Sequence, residues 1–82
     1  MMSKEMYKQR LETLRTQIKL EKSLKKADAA HFAKQIKSTT LQASKESYRK
    51  SAMARAAAHD RCIEMLEAEV ERTREMMKRA KG

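Results

Sequence analysis

The chain has 82 residues, 20 bases against 11 acids, one cysteine, one glycine and no proline. That length excludes more than one small domain, and a single cysteine excludes a disulfide within the chain. A core this small calls for support from oligomerisation or a metal.

Alanine, leucine, methionine, lysine, glutamate and arginine dominate, and these are strong helix formers. Aromatic residues are 4% and charged residues 38%, a profile of long helices or coiled coils. No apolar run approaches the length of a membrane span, and the apolar stripes are narrow and hold no tryptophan, so a membrane partner is not expected. The opening "MMSKEMYKQR" has no apolar segment behind it, which argues against a secretory signal. The lone Cys62 fits a reducing compartment, and a cytoplasmic protein is expected.

In chain order, Ser3 reads as the N-cap of a first helix. Tyr7, Leu11, Leu14 and Ile18 follow in steps of four, three and four, the helical period. The stripe fades through Glu21, Lys22 and Lys25 and resumes at Ala29, Phe32 and Ile36. One helix over about 3–38 accounts for this. Asp28 is a candidate cap for a break at Lys25 to Asp28, but no glycine or proline supports a break there.

Ser38, Thr39, Thr40 and Ser44 form a soft turn signal over about 39–44. Thr39 to Gln42 matches a capping box, and Ser44 is a second cap candidate. A second helix is predicted over about 45–80. Its stripe is Tyr48, Ala52, Ala56, His59, Ile63, Leu66, Val70, Thr73, Met77 and Ala80, an a/d heptad from Ala52 onward. Lys78, Arg79 and Lys81 suit the helix C-terminus, and Gly82 follows.

If the chain folds back near Gln42, position i faces roughly 84 minus i in an antiparallel coiled coil. Tyr7 then meets Met77, Leu14 meets Val70, Ile18 meets Leu66, Phe32 meets Ala52, Ile36 meets Tyr48, and Lys25 faces His59. Charge favours the same orientation. Lys8, Arg10, Arg15, Lys19 and Lys22 come to lie beside Glu64, Glu67, Glu69, Glu71 and Glu75. The expected fold is therefore all-α, one helical hairpin. The same pairing between two chains, as an antiparallel rod, remains an alternative.

Each helix carries a second, weaker stripe: Met6, Leu20, Leu24 and Ala27 on the first, Ala54, Ala58, Met65, Ala68 and Met76 on the second. One seam leaves these uncovered, and two hairpins packed as a four-helix bundle would cover them. A homodimer is expected, with another helical protein as the alternative occupant of a methionine-bearing surface.

Candidate chemistry is sparse. His59 and Cys62 are neighbours on a helix, but two ligands are too few for a metal site, and no CxxC or second histidine pair exists. Nucleophilic catalysis needs a water-excluding pocket and an oriented base, which a hairpin does not offer. No cofactor and no enzymatic activity is expected. One surface stands out. Lys34, Lys37, Lys45, Arg49, Lys50 and Arg55 face Glu46 alone over residues 34–55. Bases mixed with hydroxyls suit phosphates, so DNA or RNA contact at the turn end is the alternative function. No sequence-reading DNA motif is visible.

Overall fold

The computed structural model describes residues 3–80. It is an all-α helical hairpin of two helices, α1 (Lys4–Ser38) and α2 (Gln42–Arg79), packed antiparallel into a rod of 62 × 14 × 13 Å. Helices of 35 and 38 residues span about 52 and 57 Å at 1.5 Å per residue, so the rod is one hairpin long. Lys81, read above among the cations that suit the C-terminus of the second helix, and Gly82 after it lie outside the described residues.

α1 begins where Ser3 accepts a hydrogen bond from the Met6 amide at 3.3 Å, satisfying one orphan donor of the first turn. It runs unbroken through Lys25 to Asp28, so Asp28 does not cap a new helix. Its end is closed by the Thr39 amide donating to the Gln35 carbonyl at 3.3 Å and by the Ser38 hydroxyl donating to the same carbonyl at 3.1 Å.

The connection is only Thr39 to Leu41, and α2 starts at Gln42, three residues earlier than expected. Thr39 (φ −94°, ψ 143°) and Leu41 (φ −84°, ψ 121°) are both extended. Neither occupies the left-handed region that favours glycine. The expected capping box does not form. The Thr39 hydroxyl instead accepts from the Leu41 amide at 3.3 Å, Leu41 takes the N-cap position without a side-chain bond, and Ser44 lies inside the helix. A threonine so close to the end of α1 serves the turn before it can serve α2.

The seam is apolar towards the termini and polar in the middle. Tyr7, Leu11, Leu14, Ile63, Val70 and Ala80 are the buried hydrophobic residues, and Thr73 is buried with its hydroxyl donating to the Glu69 carbonyl at 2.8 Å. Ile18, Leu66 and Met77 pack against the cluster of Leu11, Leu14 and Val70. Nearer the turn, Phe32, Ile36, Tyr48 and Ala52 are only half-buried. No described side chain is fully removed from water. Burying each such side chain stabilises the fold by roughly 1.5–3 kcal/mol, which leaves a hairpin with so few of them a thin margin over chain entropy.

The cross-helix ion pairs Lys25–Asp60 and Asp28–Arg55 join residues whose numbers sum to 85 and 83. In detail the polar stretch departs from expectation. Asp28, not Ala29, turns into the seam, and Ala29 is exposed. Steps of four and three carry Ile18 through Glu21, Lys25 and Asp28 to Phe32, all at least half-buried. The stripe does not fade here; polar residues occupy its positions.

Candidate functional site

Two regions of the rod carry chemistry or an uncovered surface: the polar layer at mid-seam and the long flank beside it. At mid-seam, His59 lies opposite Glu21 and Asp28 rather than Lys25. Its Nδ1 contacts the Glu21 carboxylate, and its Nε2 lies 2.6 Å from Asp28 Oδ2. Lys25 is drawn outward to Asp60 at 2.7 Å. A neutral imidazole donates from one nitrogen only, whereas imidazolium donates from both. Two carboxylates on opposite sides of the ring therefore call for the charged form. The hydrogen bond to Asp28, followed by that to Glu21, raises the His59 pKa above its ordinary 6.5. The same bond to His59, helped by Arg55 at 3.4 Å, lowers Asp28 below its ordinary 3.8. Because the two carboxylates bind different ring nitrogens, they do not converge on a common point. Among the described residues no group of three or more histidine, cysteine or acidic side chains is placed to hold a metal ion.

The flank is defined by Arg10 and Glu69, which meet across the helices at 2.9 Å. Arg72 of the same helix also reaches Glu69, and these two partners together hold its pKa below 4.5. Steps of seven return to nearly the same side of a helix. Leu24 therefore shares the side of Arg10, and Cys62 and Met76 that of Glu69. Met6, Leu20, Ala27, Ala58 and Met65 adjoin them at spacings of three or four. Ala54 lies one turn further round from Ala58. The second stripes of the two helices thus lie on one side of the hairpin. All nine residues of the second stripes are exposed: Met6, Leu20, Leu24, Met65 and Met76 at 45–73%, together with Ala27, Ala54, Ala58 and Ala68.

The opposite flank is charged. Arg15, Glu67, Glu71 and Arg74 rim a shallow groove floored by Ile18 and Val70. Of the expected pairs between the arms, Arg10–Glu69 forms within 4 Å. Glu71 and Glu75 pair with Arg74 and Lys78 on their own helix instead. Exposed local pairs cost less ordering than reaching across, and each contributes little.

At the turn end, Lys34, Lys37, Arg49, Lys50 and Arg55 are exposed and Lys45 is half-buried. Arg55 is tied to Asp28, so it is not a free cation. The other five make no ion pair among the described residues. Sequence reasoning missed Leu41 and Met53, which are 66% and 74% exposed. Met53 rims an apolar groove with Ala29, Phe32, Ala33, Ile36, Ala52 and Ala56. Its position next to Ala52 on the stripe was the available signal. Among the described residues no helix is long and apolar enough to cross a membrane.

These features define the class as a two-helix hairpin with a polar mid-seam layer. Comparison with protein-family models, curated proteins and solved structures finds no match.

Proposed function

We propose that this protein is a non-enzymatic helical assembly module, self-associating through the flank that carries Leu20, Leu24 and Met65 to make a four-helix bundle. One observation carries the reading: on this flank five long apolar side chains stay 45–73% exposed, while only six hydrophobic residues are buried among the described residues. The fold lacks core, and the flank holds the apolar surface that would enlarge it. The proposed setting is the cytoplasm, where a lone thiol persists. Sedimentation equilibrium tests the reading. The unchanged chain should show twice the monomer mass at micromolar concentration, and Leu24→Gln with Met65→Gln should return it to monomer with its helices retained. A monomeric mass for the unchanged chain sinks the proposal.

A second reading rests on a different observation. Lys34, Lys37, Lys45, Arg49 and Lys50 gather at the turn end with no acidic partner among the described residues. Such a surface suits the phosphates of a nucleic acid. Lys45, Arg49 and Lys50 changed together to Glu should abolish binding to a mixed-sequence duplex. Affinity should also fall steeply with salt. Salt-independent binding, or binding that survives the triple substitution, rules this reading out.

A further inference from the structure

We infer that two hairpins join antiparallel, about a two-fold axis that crosses the rod at mid-length beside Leu24 and Cys62. This rests on the self-association reading and adds its geometry. α1 runs over Lys4–Ser38 and α2 over Gln42–Arg79. Leu20 and Leu24 straddle the middle of α1, and Cys62 and Met65 lie just past the middle of α2. The Leu20, Leu24 and Met65 part of the patch is therefore near mid-length, while Met6 and Met76 lie towards the termini. A two-fold contact is self-complementary: the same patch serves both copies, and the point on the axis faces its own image. The Leu20, Leu24 and Met65 cluster meets its own image when a second copy is laid alongside it.

A cluster near mid-length alone allows either direction, and charge selects one. Residues 23–61, the turn half, carry nine bases and three acids; the remaining residues carry eleven and eight. A parallel dimer sets two turn halves of net +6 side by side. The antiparallel dimer sets each turn half beside the half that holds eight of the eleven acids. It also separates the two basic ends by the 62 Å rod, many times the ~8 Å screening length of physiological salt. The size is sufficient. One long side of a 62 × 14 Å rod is of the order of the ~800 Å² per partner that a stable interface buries. The occupant is a second copy: its acid-bearing terminal half lies beside the basic turn half, and its long side supplies the area required.

Two spin-labelled variants test this, Ser23→Cys at mid-length and Thr40→Cys at the tip, both exposed and both in a Cys62→Ser background. The antiparallel dimer gives a Thr40 pair separated by about the 62 Å rod length and a much shorter Ser23 pair. Two similar, short distances mean a parallel dimer and overturn the inference while leaving self-association intact. Two long distances mean an end-to-end contact and overturn the central axis. Lysine-reactive cross-linking of the unchanged chain guards against an altered background. Links from Lys45 or Lys50 to Lys4 or Lys8 are too long to form within one hairpin and are expected between copies. Links from Lys45 to Lys45 alone contradict the orientation. A monomeric mass removes the self-association reading and this inference with it.

Discussion

Asp28 Oδ2 lies 2.6 Å from His59 Nε2, and the other ring nitrogen of His59 contacts the Glu21 carboxylate. A histidine held between two acids of the facing helix donates to both only while it is protonated. This layer sets how the hairpin responds to pH and to substitution.

The first prediction concerns pH. The His59 pKa is raised on folding, so its contribution is fully present below about 6.5, the ordinary value, and is lost as pH climbs through the raised one. Asp28 and Glu69 are lowered, so their contributions are present above 3.8 and 4.5 and are lost as pH falls through the lowered values. Lys25, Arg55 and Asp60 surround the layer. The hairpin should be most stable in mildly acidic solution, with Tm falling towards alkaline pH. Thermal unfolding followed by circular dichroism from pH 4 to pH 9 checks this. A Tm that rises between pH 6 and pH 9 contradicts the charged layer.

A second experiment separates the layer from its members. His59→Ala leaves Glu21 and Asp28 without their shared cation and should lower Tm at pH 6 while flattening its fall above that pH. Glu21→Leu, Asp28→Leu and His59→Ala together replace the layer by apolar surface and should raise Tm above that of the single variant. If the single variant keeps the full pH dependence, another group carries it.

The packed end of the seam should be the most sensitive to truncation. Leu14 is 6% exposed in the main cluster, and Leu14→Ala should cost about 2–4 kcal/mol in urea unfolding. Leu20→Ala, at a 59% exposed position, should cost the hairpin far less and should instead weaken self-association. Equal losses in a concentration-independent unfolding experiment would show that Leu20 packs within its own hairpin.

The start of α2 is open to improvement. Leu41 is the N-cap, makes no side-chain bond and is 66% exposed, and the first turn holds no acid. Leu41→Asp supplies both a cap and a favourable charge at the helix N-terminus. It should stabilise the fold by about 1 kcal/mol. Ser3→Ala, which removes the cap that α1 does have, should destabilise by a similar amount. An unchanged midpoint for Leu41→Asp would mean that the turn rearranges.

The hairpin was legible because its apolar residues repeat at steps of three and four, and because no glycine or proline interrupts either helix. Tyr7, Leu11 and Leu14 could be read from spacing alone. The middle could not. Glu21, Lys25 and Asp28 occupy seam positions, and a hydrophobic pattern passes over polar residues even when they are half-buried. Lys25 and His59 do lie at the same level, but which acid meets the ring and which meets the lysine depends on rotamers and on fractions of a turn. The turn was placed in the right stretch and made too long, because Thr39 gives its hydroxyl to the connection rather than to a helix cap.

Composition and periodicity by themselves determined an all-α chain of long helices and the apolar residues on either side of the polar middle of their seam, since helix propensity and a 3.6-residue period are local properties. Only the tertiary structure decided what the polar residues do. It placed His59 between two carboxylates, tied Arg55 to Asp28, and brought the second stripes of both helices onto one flank. Those outcomes depend on the rotation of one helix against the other, which no local pattern specifies and which packing across the seam fixes.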